Sequence, residues 1–423
     1  MDENKENKPR TLVDIILGVL RHKYFLAGSA VVVLLGVLIS ILLPKKEFEL
    51  PWNAFRIQDL SDDAMVQMGG GKSSFQQFVS TFTTKEGSAI PVLWLLHEEE
   101  NDRSTPLVLK ARGEELRFGD QVLLGRLWVA RGNKKEEERV HREFLKDYPE
   151  FKVDSKSDLL WYEALEYLRW RMESYQVYRN PTTLHEIKDL SARILPLFMD
   201  HYPPGISEIF RANATVVVAS LEKEDKKTNG VEETEKLIIP LASIDLSVFR
   251  ALVSIDPAWE EIADFWQDKL LAARLSNGFS AYAIDHESGE YLPSYHEQFQ
   301  VKTEAFLHQE LVLAEAGFEN QKSRAITFQL LENDRYLRRI YHMASQMKMD
   351  EEYDLLAMNE MYEIAKIEND QLTQNLLQNR MKDLIIEEYD IALSGFIPEE
   401  KAEERYFSFE LNAKALLSGL IIP

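Results

Sequence analysis

A glycine-rich stretch is the first candidate for phosphate chemistry in this sequence. It reads Gly69-Gly70-Gly71-Lys72-Ser73, and a nucleotide-phosphate loop ends in the same Gly-Lys-Ser order. That loop also needs a glycine where Val66 stands. Without it the backbone cannot wrap a phosphate closely, so the stretch is predicted to be a flexible turn.

Two histidine–glutamate pairs raise the question of a metal site. They are His286-Glu287 and His296-Glu297, and their spacing does not place two imidazoles one helical turn apart, as zinc-binding helices do. The sequence has no cysteine, which excludes thiolate metal sites, disulfides and cysteine nucleophiles. We therefore predict no metal and no cofactor, and interpret both pairs as polar loop residues.

Carboxylates are the remaining candidates for catalysis, and the chain has 71 of them. Glu-Ser pairs occur at Glu173-Ser174 and Glu287-Ser288. A helical protein with a catalytic glutamate would be similar to the lytic transglycosylases. The Gly-rich and aromatic motifs that follow the catalytic glutamate in those enzymes are missing here. Paired acids for glycosidic cleavage are recognised by their geometry. The sequence therefore selects no catalytic residue, and the chain is predicted not to be an enzyme.

Composition excludes some partners. The formal net charge of −22 repels nucleic acid and anionic lipid headgroups, so no nucleic-acid partner is predicted. A hydrophobic fraction of 45% over 423 residues is enough for a sizeable core. The chain is therefore predicted to be folded over most of its length.

An uncharged stretch from Tyr24 to Leu43 is predicted to be an uncleaved transmembrane helix. At about 1.5 Å per residue it spans roughly 30 Å, the thickness of a hydrocarbon core. Its N-terminal flank carries five lysine and arginine residues, and its C-terminal flank carries three, Lys45, Lys46 and Arg56, which favours a cytoplasmic N-terminus. We expect a single-pass bacterial inner-membrane protein with most of the chain in the periplasm.

The remaining pattern is mainly α-helical. Residues 1–23 are predicted to be cytoplasmic, 24–43 transmembrane and 44–117 a membrane-proximal connector. A helical domain is expected over 118–284, a loop over 285–298 and a second helical domain over 299–423. Helices are also predicted over 206–223 and 231–241, and the apolar run 90–96 fits a strand or a helix equally well.

The first helical pair resembles a tetratricopeptide repeat. Leu124, Gly125, Trp128, Gly132 and Pro149 stand where that family has its Leu-Gly pair, its aromatic, its turn glycine and its closing proline. The resemblance implies a degenerate α-solenoid in which Gly125 lets the two helices of a pair approach. Small residues of the family are replaced by Glu137 and Phe144, which implies altered packing.

Aromatic and arginine side chains crowd one predicted helix. We expect most of them in the core and a minority on a binding face, because Trp, Tyr and Arg are enriched at protein-binding hot spots. The candidate protein-binding residues are Trp161, Tyr162, Tyr167, Trp170, Arg171, Tyr175 and Tyr178.

These observations favour a non-enzymatic, membrane-tethered periplasmic scaffold that binds another envelope or membrane protein, as part of a secretion, flagellar or pilus machine. Two alternatives stay open. The start of the chain, from Arg10 to Pro44, is similar to the first membrane segment of polysaccharide chain-length regulators. An envelope hydrolase would be indicated by a cleft in which carboxylates converge. The oligomeric state is not predicted.

Overall fold

The structure is a computed structural model. It describes residues 55–57, 93–97, 108–110, 118–213, 231–295, 299–350, 353–382, 394–396, 404–407 and 409–420. These residues lie in one compact unit, Leu50–Pro423, and are mainly helical, which confirms the predicted class of secondary structure. The predicted domain boundaries stay predictions.

Eleven helices are found in the described part of the chain. They are α1 (Phe118–Ala130), α2 (Lys134–Asp147), α3 (Trp161–Tyr178), α4 (Pro181–Phe198), α5 (Leu246–Leu252), α6 (Trp259–Ala272), α7 (Thr303–Glu315), α8 (Gln321–Asn333), α9 (Leu355–Ile367), α10 (Gln371–Lys382) and α11 (Phe409–Ser418).

The odd-numbered helices form a closed ring. Along it α1 packs against α3, α3 against α5, α5 against α7, α7 against α9 and α9 against α11, and α11 returns to α1. Outside the ring, α2, α4, α6 and α10 pack on α1, α3, α5 and α9. Because each inner helix is followed by an outer helix that reverses the chain, all inner helices run in the same direction.

Side-chain periodicity separates outer from inner helices. The outer helix α2 buries Glu137, Val140, His141 and Phe144, the i, i+3, i+4, i+7 stripe of a helix with one covered face. The inner helix α3 buries residues around most of its circumference. This difference follows from position. An inner helix lies between the ring axis and an outer helix, whereas an outer helix is covered only on the side that faces the ring.

The β-strands all lie on the route into an inner helix. They are β1 (Leu93–His97), β2 (Val108–Lys110), β3 (Ile206–Asn213), β4 (Val231–Pro240), β5 (Ala283–Asp285), β6 (Tyr291–Leu292), β7 (Gln300–Lys302), β8 (Ile340–His342), β9 (Ser394–Phe396) and β10 (Glu404–Phe407). They pair antiparallel in the orders β2–β1–β10–β9, β3–β4–β5–β6 and β7–β8.

The two ends of the ring therefore differ. Connections from an inner helix to its outer partner are short, as at residues 131–133 and 179–180. Connections from an outer helix to the next inner helix are long and carry the strands. We call the end where the inner helices begin the N-terminal face; long connections over a rigid scaffold are where binding residues tend to lie.

Two predicted helices are wrong. The described parts of residues 206–223 and 231–241 form the hairpin β3–β4, in which Ile206 lies opposite Ile238 and Asn213 opposite Val231. The β-branched residues of both segments suit a strand, and pairing with each other and with β5 satisfies their backbone groups. The run 90–96, which fitted either structure, contains the start of β1.

The tetratricopeptide interpretation is also wrong. Gly132, with a φ of +70°, does turn the chain between α1 and α2, and Asn133 caps α2 by accepting the Glu136 N–H at 3.3 Å. Gly125, however, allows a different contact: a Cβ there would lie 2.1 Å from the Trp170 ring on α3. Its small size serves the packing of neighbouring inner helices, and the helices close a ring instead of extending as an open solenoid.

No helix in the described ranges is long and apolar enough to cross a membrane. The predicted anchor, Tyr24 to Leu43, lies outside the described residues. The prediction of a single-pass inner-membrane protein with a periplasmic domain finds no support in the described residues.

Replacing Gly125 with alanine should destabilise the fold. The new methyl group would overlap the fully buried Trp170 ring, and overpacking of this kind costs about 1–3 kcal/mol. Gly119→Ala in the same helix is the matched control, because its Cβ would come no nearer than 3.9 Å to another residue. Urea unfolding should show a loss for Gly125→Ala alone; equal stability of the two variants would contradict the close approach.

Candidate active site

A cavity of about 320 Å³ lies at the N-terminal face of the ring. Its walls are the first halves of α1, α3 and α11, a residue of α7, and the 3₁₀ turn Leu241–Ser243 with the start of α5. Its acidic lining residues are Asp120, Glu166, Asp245 and Glu410, and its basic ones are Arg126, Arg169, His308 and Lys414. Carboxylates from four inner helices thus converge on one solvent-filled space.

Glu166 is the carboxylate best suited to hold a proton there. Its side chain is accessible from the cavity, yet protein surrounds it, and this burial raises the pKa of Glu166 despite the opposing charges of Lys414 and His308. Among the described residues it has no hydrogen bond or ion pair. Gly119 on α1 faces it, since a Cβ there would lie 3.9 Å from Glu166 Oε2.

Arg169 ties three inner helices together beneath the cavity. Its Nη1 donates to Asp245 Oδ2 at 2.9 Å and its Nη2 to Glu315 Oε1 at 2.5 Å. Asp245 also caps α5, accepting the Val248 N–H at 3.0 Å. Burial by itself would lower the pKa of Arg169, but the surrounding carboxylates raise it well above its ordinary value. Asp245 is thereby fixed in place with both oxygens engaged.

The other cations of the cavity are paired with carboxylates as well. Lys414 Nζ lies 3.0 Å from Glu410 and 3.7 Å from Glu304. His308 Nδ1 lies 3.2 Å from Glu360. Burial opposes the charge of this imidazole, but Glu360 outweighs it and raises the pKa of His308.

The opposite end of the ring is covered by a short segment from outside the helices. Phe55 is buried there, its ring 5.3 Å from the Arg169 guanidinium, and Gln176 Nε2 donates to the Phe55 carbonyl at 3.2 Å. Arg56 and Ile57 help line a smaller cavity of about 60 Å³ at this end. A ligand of the larger cavity would therefore enter from the N-terminal face.

No group of side chains in the described ranges is placed to hold a metal ion. The Gly69–Ser73 turn and His296 lie outside the described residues. Glu173, half of a Glu-Ser pair in the sequence, is buried in the ring and accepts both Arg126 Nε and Nη2, at 2.8 and 2.9 Å. It holds Arg126 and does not face the cavity.

The predicted protein-binding residues all lie on α3 but mostly point into the core. Trp161, Tyr167, Trp170, Arg171 and Tyr175 are buried. Tyr162 lines the cavity, and Tyr178 is half-buried with its hydroxyl donating to the Trp128 carbonyl at 3.3 Å. A protein-binding role for this group stays a prediction.

Sequence reasoning missed the cavity residues. For Asp120 a signal was available, because it is one of two charged residues on the largely apolar α1 and a charge on a buried helix needs a partner or a solvent-filled space. Glu166 and His308 lie on helices that carry several other charges, so the sequence does not single them out.

A closed ring of helical hairpins around an axial cavity defines an α/α toroid. No protein-family model matches the chain, and no curated protein matches it by sequence. Among solved structures, an α-amylase from Clostridium perfringens superposes with a TM-score of 0.58 at 13% identity, over 82% of this chain and 96% of that chain. At this identity the likeness shows the fold.

Other similar structures also carry names of enzymes that cut polysaccharides. The endo-β-1,4-glucanase CMCax from Acetobacter xylinum has a TM-score of 0.47 at 10% identity, over 82% of this chain and 96% of its own. An α-1,6-mannanase from Salegentibacter sp. has a TM-score of 0.46 at 8% identity, over 84% and 98%.

These findings correct the predicted function class. The chain was predicted to be a non-enzymatic scaffold with a tetratricopeptide-like domain, whereas its fold is the toroid of an α-amylase. Short sequence motifs could not reveal the cavity, because its carboxylates come singly from separate parts of the chain.

Glu166→Gln should stabilise the protein at neutral pH and leave its stability little changed in acid. Because the folded state raises the pKa of Glu166, folding takes up a proton between the ordinary carboxyl range and that raised value. Wild-type stability therefore falls as pH rises through this window. The glutamine variant is always neutral and escapes the loss.

Urea unfolding at about pH 4, near the ordinary carboxyl pKa, and at neutral pH measures the effect. Glu138→Gln is the control, since Glu138 is exposed and only loosely paired with Lys134, at 3.8 Å. A stability difference for Glu166→Gln that does not change with pH would show that the carboxyl is not destabilised when charged.

Proposed function

We propose that this chain is a glycoside hydrolase that cleaves a polysaccharide in the cavity at the N-terminal face. The observation that carries the proposal is the convergence of Asp120, Glu166, Asp245 and Glu410 on one cavity of about 320 Å³. That convergence is the feature expected of a hydrolase and not of a scaffold. The toroid fold shared with an α-amylase supports it as an analogy of fold.

Hydrolysis of a glycosidic bond needs two carboxyl groups in different protonation states. One gives a proton to the leaving oxygen, and the other, charged, either activates water or attacks the sugar carbon. Glu166 fits the donor, because burial raises its pKa and no described residue takes its proton by hydrogen bonding. In the assigned role it protonates the glycosidic oxygen as the bond breaks.

Asp120 is the proposed second carboxylate. It lines the same cavity and lies in the first turn of α1, where the positive end of the helix dipole stabilises negative charge. It follows Gly119, the residue that faces Glu166 Oε2. Asp245 is less suited to the role, because Arg169 and the Val248 N–H engage both of its oxygens.

The test is release of reducing ends from a panel of α- and β-linked polysaccharides by the full chain. Glu166→Gln and Asp120→Asn should each lower the turnover of a cleaved polymer at least about 100-fold, the usual contribution of a positioned acid or base. Glu138→Gln, on the exposed surface of α2, should behave as wild type.

The pH profile gives a second reading of the same variants. With Glu166 as the donor, activity should fall on the alkaline side as its raised pKa is passed. If the wild type is active and the Glu166→Gln and Asp120→Asn variants both keep its rate, the catalytic residues lie elsewhere in the chain. Inactivity on every linkage in the panel would contradict the hydrolase proposal.

A further inference from the structure

Every inner helix begins with an acidic residue of its own. A helix N-terminus carries partial positive charge and free N–H groups, which makes it a natural site for an anionic ligand. Here those positions are occupied by carboxylates of the chain. The acidic residues in the cap or first turn are Asp120 of α1, Glu163 of α3, Asp245 of α5, Glu304 of α7, Asp354 of α9 and Glu410 of α11.

The cations that line the cavity are likewise engaged. Arg126 is held by both oxygens of Glu173, Arg169 by Asp245 and Glu315, and Lys414 by Glu410. His308 is held by Glu360. An acidic sugar would have to displace one of these internal carboxylates, leaving it unpaired and surrounded by protein, which is costly.

Glu166 has the opposite property. It lines the cavity without a hydrogen bond or ion pair from the described residues, and the cations nearest to it belong to carboxylates already. The chain as a whole carries a net charge of −22. Near and far charges therefore act in the same direction, repelling anions and attracting cations.

Resting on the proposed function, we infer that the cavity selects its polysaccharide by charge: it binds sugars that carry a protonated amine in preference to neutral sugars, and it excludes sugars that carry carboxylate, sulfate or phosphate. The selectivity arises because carboxylates of the chain itself neutralise the N-termini of the inner helices and the cations that line the cavity. Fold alone would not give this, because one α/α toroid can accept a neutral chain and another an acidic one.

Oligosaccharides that differ only in charge test the inference. Binding is measured by calorimetry on the wild-type full chain, with oligomers whose glycosidic oxygens are replaced by sulfur so that cleavage does not interfere. The probes are an N-acetylated hexosamine oligomer, the same oligomer after de-N-acetylation, and a uronic acid oligomer. At low salt the amine form should bind at least about tenfold more tightly than the uronate, and salt should shrink the difference, because it screens charges over about 10 Å.

Removal of one negative charge inside the cavity should reverse part of this charge selectivity. Glu410→Gln removes the nearer partner of Lys414, at 3.0 Å, and leaves only the more distant Glu304, at 3.7 Å. The less neutralised ammonium should improve uronate binding several-fold while weakening amine binding. Glu138→Gln is the matched control: it removes the same charge from another Glu–Lys pair four residues apart, with Lys134 on the outside of α2, and should change neither affinity.

The outcomes separate this inference from the proposed function. Uronate binding as tight as amine binding, or equal effects of Glu410→Gln and Glu138→Gln, would overturn the charge selection even if polysaccharides are hydrolysed. Charge-ranked binding without hydrolysis of any polymer would overturn the hydrolase and keep the selection. Absence of binding to all three oligosaccharides would overturn the charge selection, while the reducing-end assay on the polysaccharide panel decides the hydrolase proposal separately.

Discussion

The ring depends on one largely enclosed guanidinium. Arg169 reaches from α3 to Asp245 at the start of α5 and to Glu315 at the end of α7, and Phe55 covers it from the far side. A charge in this position must be matched, because a buried ion that loses its partner costs about 3–5 kcal/mol. The guanidinium thereby helps to hold α3, α5 and α7 in one register around the axis.

The same constraint shapes the cavity above it. Arg126 and Glu173 form a second such pair, so the bottom of the cavity is a layer of mutually satisfied charges. Nearer the mouth, Glu166 has no cation paired with it among the described residues. A carboxyl with a raised pKa thus lies where the internal pairing ends.

The architecture also explains where chemistry can evolve. Inner-to-outer turns are short and fix the hairpins, while the outer-to-inner connections vary in length and carry the strands. Since all inner helices run the same way, every long connection reaches the same face as the cavity. Substitutions in these long connections can therefore change the walls of the cavity and its ligand specificity without disturbing the helix contacts of the ring.

The sequence by itself determined the helical class, the positions of most helices and the amphipathic face of outer helices such as α2, because these follow from local periodicity. It misassigned β3 and β4, whose stability comes from pairing across a distant hairpin. Closure of α11 onto α1, and with it the meeting of Asp120, Glu166, Asp245 and Glu410, was decided by tertiary structure. Periodicity shows which face of a helix is buried, but not which other helix covers that face. Carboxylates that come singly from separate helices therefore form no recognisable sequence motif.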